Sequence, residues 1–230
     1  QARDGRALFY LGKMAENGYG RLQNIEKAFD YYERSAEMGD RYSRQTLAYQ
    51  FMSGEKVPVN YTKARYWNQI LAESGDINSA YRLFIIYDNG LGIEKDIPQS
   101  LIWLSQAAQG GHVEAQFNLG VSYERGIGIG ADMTQAIQWY RLAAAQNYGF
   151  AQFNLGVIHH LGKGVPVDFS QAADWYRKAI DNKVEAADVN YANLLIEGKG
   201  VEKDIALAMK LYERAAKNGD INGMYHIGLA

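Results

Sequence analysis

The stretch Ala115-Gln116-Phe117-Asn118-Leu119-Gly120 returns letter for letter as Ala151-Gln152-Phe153-Asn154-Leu155-Gly156, 36 residues later. Laid out at that period, the chain falls into columns without an insertion or deletion. One column reads Gly18, Gly54, Gly90, Gly126, Gly162, Gly198. Another reads Tyr31, Trp67, Trp103, Trp139, Trp175, Leu211 and contains every tryptophan of the chain. A third reads Ala28, Ala64, Ser100, Ala136, Ala172, Ala208. The layout gives repeats over 5–40, 41–76, 77–112, 113–148, 149–184 and 185–220, with a partial seventh over 221–230. A period of this length is the mark of a solenoid, in which stacked units bury a core that one unit cannot bury alone.

Each unit reads as two helices. In the fourth, helix A covers about Glu114 to Glu124, with Ala115, Leu119 and Tyr123 on one side. Gly126-Ile127-Gly128 ends it, because glycine enters the left-handed region without strain. Helix B runs from the N-cap Asp132 to about Gln146, with Ala136, Trp139, Tyr140, Ala143 and Ala144 inward. The cap column is Asn24, Asn60, Asp96, Asp132, Asp168, Asp204, an Asx residue each time. The helix B stop column is Gly39, Gly75, Gly111, Asn147, Lys183, Gly219. Lys183 breaks it, and Asn182 is expected to take over the left-handed cap. A fully buried tryptophan contributes roughly 3 kcal/mol or more, so Trp139→Ala is expected to unfold its surroundings. The architecture expected is all-α, one solenoid domain over 1–230.

Composition narrows the function. Hydrophobic residues are 47% and charged residues 22%, which suits a folded chain. The net charge of −2 lacks the basic excess that phosphate neutralisation demands, so no nucleic acid is expected. Cysteine is absent, which removes disulfides, zinc ribbons and thiol catalysis. The longest apolar runs, such as Leu83-Phe84-Ile85-Ile86-Tyr87, fall far short of the roughly 20 residues of a membrane span. No signal peptide stands at Gln1, so the chain reads as a mature protein or an excised piece.

The pattern A-x-x-x-L-G-x-x-Y-x-x-G-x-G-V…D-x-x-x-A-x-x-W-Y-x-x-A-A resembles the Sel-one-like repeat (SLR), a relative of the tetratricopeptide repeat. Ala151 to Ala179 carries it best, through Leu155, Gly156, Gly162, Gly164, Val165, Asp168, Ala172, Trp175, Tyr176 and Ala179. Departures are Ala15 and Leu195 where the family tends to have tyrosine, Lys56 for the second glycine, and Leu211 for tryptophan. The resemblance implies a right-handed α/α superhelical solenoid of helix-turn-helix repeats with a concave face. It also implies a non-catalytic adaptor or scaffold, in a family with many bacterial and several exported members. A bacterial periplasmic or secreted location is therefore expected, with the cytoplasm as the alternative.

Motifs that could carry chemistry have plainer explanations. Gly126-Ile127-Gly128-Ile129-Gly130 and Gly162-Lys163-Gly164 lack the preceding strand of a phosphate cradle and sit in the inter-helix column. His159 and His160, adjacent on a helix, diverge too far to share one ion, and His159 falls in the packed Tyr123 column. Six aspartates or asparagines in one column are explained together by capping. Glu114, Glu124 and Glu197 form no catalytic constellation, so no enzyme, cofactor or metal is expected.

In tetratricopeptide-like solenoids helix A lines the concave face, and its most polar arc holds the columns of Glu114, Asn118, Val121 and Arg125. Candidate partner-binding residues on it are Tyr10, Tyr42, Tyr49, Asn78, Arg82, Glu114, Asn118, Arg125, Phe150, Asn154, Asn190, Asn193 and His226. Asn118, Asn154 and Asn190 form a ladder of amides able to pair with an extended peptide. Tyr42, Tyr49 and Phe150 are the candidate anchors. The expected ligand is a protein or peptide; a glycan or cell-envelope polymer is the alternative.

Overall fold

The computed structural model describes residues 2–20 and 22–228. Thirteen α-helices and no strand occur among the described residues. They group into two compact units, residues 1–112 and 113–230. The first holds α1 (Ala2–Asn17), α2 (Ile25–Glu37), α3 (Arg41–Ser53), α4 (Tyr61–Glu73), α5 (Ile77–Asn89) and α6 (Ile97–Gln109). The second holds α7 (Val113–Arg125), α8 (Met133–Ala145), α9 (Gly149–Leu161), α10 (Phe169–Asp181), α11 (Ala186–Glu197), α12 (Ile205–Lys217) and the short α13 (Ile221–His226). Within each unit the odd-numbered helix packs most closely on the even-numbered helix that follows it, and each such pair packs on the next.

Local chemistry sets the boundaries. All six Asx caps act as expected: Asn24, Asn60, Asp96, Asp132, Asp168 and Asp204 accept the backbone N–H three residues on. A second set, Asp40, Asp76 and Asp220, caps α3, α5 and α13 in the same way. These precede helices A and were not read from the sequence, because His112, Tyr148 and Val184 interrupt their column. The even-numbered helices all end in the paired bonds of a left-handed cap. In α10 the Val184 N–H donates to the Ala179 carbonyl at 2.9 Å and the Lys183 N–H to Ile180 at 2.9 Å. Lys183 itself holds φ 63°, as Asn147 holds 62°. The sequence expectation that Asn182 would substitute is corrected. The two bonds fix the position of the positive φ, so the residue at that point must adopt it whatever its side chain.

The core differs from the expectation in one respect. The tryptophan column is unevenly buried: Trp67 and Trp103 lie in the core, whereas Trp139 and Trp175 are only half-buried. The next column is the centre, with Tyr32, Tyr140, Tyr176 and Tyr212 buried and Leu104 in the same place. Gly12, Gly120 and Gly156 on the partner helices lie against the faces of Tyr32, Tyr140 and Tyr176. A ring needs the close approach that a missing Cβ permits. Where the third repeat carries Phe84 in the glycine column, the facing residue is Leu104.

Candidate functional site

The tyrosines that fill the core also build the polar floor of the helix A face. Each reaches across its pair, so its hydroxyl emerges near the C-terminal end of helix A. The Tyr140 hydroxyl donates to Glu124 Oε2 at 2.6 Å. In the next pair Tyr176 and His160 Nδ1 lie 3.2 Å apart, and Tyr212 donates to Asn193 Oδ1 at 2.6 Å. In the first pair Tyr32 donates to Glu16 Oε2 at 2.9 Å.

Glu16 is the most elaborated of these acceptors. It is only 3% exposed. Lys56 Nζ lies 2.7 Å from its Oε1 and Lys13 Nζ 3.0 Å from its Oε2. Burial alone would raise its pKa; Lys56, Lys13 and the Tyr32 hydroxyl outweigh that and hold it below the ordinary carboxylate value. The Tyr32 phenol is pushed up, by burial first and then by the same carboxylate.

Above this triad a groove of about 370 Å³ opens between α1 and α3. Its walls include Phe9, Tyr42, Thr46 and Tyr49, and its floor Gln50 with the triad. Tyr42 and Tyr49 are 50% and 43% exposed, so their rings are available to a ligand. They are also held. The Arg6 guanidinium lies 4.1 Å over the Tyr42 ring and pairs with Asp40 at 2.9 Å. Phe9 supports Tyr42 from below at 5.9 Å. The Tyr49 hydroxyl donates to Glu55.

The expected residues of the first unit thus converge in part. Tyr42 and Tyr49 line the groove, and Tyr10 stands beside it, edge-on to Phe9 at 5.6 Å. Arg82 bears on the Tyr49 hydroxyl by charge, while Asn78 is exposed near the start of α5. Sequence reasoning missed Glu16, Gln50 and Lys56. A usable signal existed in Lys56, which breaks a column of Gly92, Gly128, Gly164 and Gly200. Those glycines take a left-handed φ and, in three cases, lie hard against the first turn of the preceding helix B. Lys56 does not adopt that φ, and its ammonium reaches Glu16 instead.

In the second unit Phe150, 55% exposed, sits against Tyr148 and Phe117 at 5.8 and 6.3 Å. Burial raises the Tyr148 pKa, and the Glu114 charge adds to it. Asn118, Asn154 and Asn190 are all half-buried, and Arg125 is exposed. Asn154 also bears on the Tyr140 hydroxyl. Asn193 is engaged by Tyr212, and His226 stacks on the Tyr212 ring at 4.4 Å. Asn193 is half-buried and His226 exposed. Val121 and Gly164 stand where the first unit has Lys13 and Lys56, so the pair of lysines is not repeated there; Lys163 approaches Glu124 at 3.6 Å instead. Among the described residues no group of three or more His, Asp or Glu side chains could hold a metal ion. No described helix is long and apolar enough to cross a membrane.

The Sel1 repeat pattern matches residues 5–40, 47–76, 77–112, 113–148, 149–184 and 186–220. The chain belongs to the Sel1 repeat family. Two solved structures agree. The chain is similar to c5321, a protective antigen of uropathogenic Escherichia coli strains with an SLR fold, at 28% identity and TM-score 0.87, covering 97% of this chain and 48% of that one. It is similar to a Sel1 repeat protein of Oxalobacter formigenes at 28% identity and TM-score 0.78, covering 98% of this chain and 66% of that one. The chain therefore spans about half to two thirds of the length of these relatives. No curated protein matches its sequence. Sel1 repeat proteins are generally protein-interaction scaffolds, and the family is generally non-catalytic.

Proposed function

We propose that this Sel1 repeat chain is a scaffold that holds an extended segment of a partner protein against its helix A faces. The observation that carries this reading is the α1/α3 groove, flanked by half-exposed Tyr42 and Tyr49. Rings held in place by Arg6, Phe9 and Glu55 give contact area with little ordering left to do on binding. In the second unit Phe150, with Glu114, Asn118, Arg125, Asn154 and Asn190 around it, offers a further contact surface. Asn193 is held by the Tyr212 hydroxyl, and exposed His226, stacked on the Tyr212 ring, extends that surface. Likeness to a protective antigen supports an exported location, periplasmic or secreted, in a bacterium.

The test is capture of partners from the native cell by the wild-type chain, by Tyr42→Ala/Tyr49→Ala and by Asn118→Ala/Asn154→Ala/Asn190→Ala, with folding checked by circular dichroism. Loss of a protein partner in the folded tyrosine variant supports the reading. Unchanged capture by both variants overturns it. Binding of a glycan array with no protein partner would give the alternative, an envelope-polymer binder.

A further inference from the structure

We propose that the α1/α3 groove recognises an acidic peptide segment, taking a glutamate or aspartate carboxylate on Lys13 and Lys56. This deepens the scaffold reading and rests on it. Glu16 is a single carboxylate with two ammonium partners, at 2.7 and 3.0 Å. One lysine would neutralise it. The second leaves the cluster with one excess positive charge. Both lysine side chains remain 41% exposed at the groove while Glu16 is buried beneath them. Each ammonium has three donors and gives one to Glu16, so both keep donors for an incoming anion. Glu16 and Tyr32 fix the two ammonium groups before the ligand arrives, which removes ordering that binding would otherwise require. Arg82, half-buried and near Tyr49, adds a further positive charge to that side, against Glu55.

The second observation is Gln50. It is 7% exposed, lines the groove floor, and its Oε1 has no hydrogen-bond partner. A buried amide oxygen without a donor is uncommon. Turning the amide about its last side-chain bond presents Oε1 to the groove, where a peptide N–H satisfies it. A carboxylate on the lysines, a main-chain N–H on Gln50 and flanking rings on Tyr42 and Tyr49 describe an extended acidic segment with aromatic or apolar neighbours. In the second unit Val121 and Gly164 replace the lysines, and Glu124, in the place of Glu16, has the single lysine partner Lys163 at 3.6 Å.

The experiment is an amide NMR titration of the full ¹⁵N-labelled chain. The probes are a short acetylated peptide alternating glutamate with alanine and tyrosine, its glutamine counterpart, and trigalacturonate. Expected shifts fall on Lys13, Gln50 and Lys56, with the glutamate peptide binding about tenfold more tightly than the glutamine one. Lys56→Gln and Lys13→Gln, each leaving Glu16 one partner, should each weaken the glutamate peptide about five- to tenfold with the remaining spectrum unchanged. Equal affinity for the two peptides, or indifference to both lysine variants, overturns the inference. If Tyr42→Ala still weakens the glutamine peptide in that case, the scaffold reading survives without the acidic preference. Tighter binding of trigalacturonate than of the peptide also overturns it, in favour of a glycan acid.

Discussion

Gly120 and Tyr140 are fitted to each other: a Cβ on Gly120 would stand 2.7 Å from both Cδ1 and Cε1 of the ring. Real Cβ atoms do not approach carbon so closely, so the ring would have to move. In the sixth repeat Ala192 replaces the glycine, and the Tyr212 hydroxyl donates to Asn193, because the position matching Glu124 is Ile196 and offers no acceptor. Gly120→Ala should therefore destabilise the chain by about 1–3 kcal/mol, against which helix propensity returns about 1 kcal/mol. It should also detach Tyr140 from Glu124. A double-mutant cycle with Tyr140→Phe checks this by urea unfolding. If removing the hydroxyl matters as much in the alanine background as in wild type, the ring did not move.

The neighbouring columns Trp139 and Tyr140 should differ sharply. Tyr140 is completely buried, whereas Trp139 is only half-buried. Tyr140→Ala should cost about 3–5 kcal/mol, the range of large aromatic truncations. Trp139→Ala should cost distinctly less, and not unfold the repeat. Equal thermal shifts for the two variants would place the core in the tryptophan column after all.

His159 should make stability fall in mild acid. It is 3% exposed and neither ring nitrogen has a hydrogen-bond partner. Burial first, and then the Arg141 charge, lower its pKa below the ordinary 6.5, with Asp168 opposing. A base with a depressed folded pKa is neutral in the fold and protonated when unfolded. Its contribution is therefore present above pH 6.5 and is lost as pH falls through the folded value. His159→Phe, copying Phe51 of the same column, should flatten the fall in stability as the pH drops below 6.5. Chemical unfolding of both proteins across that range provides the check.

The cap column offers a control that touches no other contact. Asp132 accepts the Gln135 N–H at 3.0 Å on an exposed surface. Asp132→Ala should lower stability by about 1 kcal/mol, while Asp132→Asn should be nearly neutral, since Asn24 and Asn60 cap in the same way. A large loss from the asparagine variant would mean that the charge, not the acceptor, matters.

The repeat made most of the local structure legible. Asp132, Gly126 and Asn147 act through bonds that close within a few residues, so a column of like residues was enough to place them. The helix A arc was legible only as a direction. Tyr42, Tyr49 and Phe150 are exposed on it as expected, but Asn193 is drawn to Tyr212 and Asn154 toward Tyr140. Helical spacing gives the angle at which a side chain leaves its own axis, not what comes to meet it.

By itself, then, the sequence determined the all-α class, the 36-residue repeat, the helix ends and the family, because each depends on interactions short along the chain and copied six times. Only the tertiary structure decided that Tyr140 and Tyr176 are fully buried while Trp139 and Trp175 beside them are not, and that Glu16 gathers Lys13, Tyr32 and Lys56 beneath one groove. Those contacts span 16 and 40 residues for Tyr32 and Lys56, and join side chains that no single period aligns. Lys56 looked in the repeat like a lapse from glycine. In the fold its side chain reaches a buried carboxylate of the repeat before it, and an ion pair of that kind becomes visible only when the two helices lie side by side.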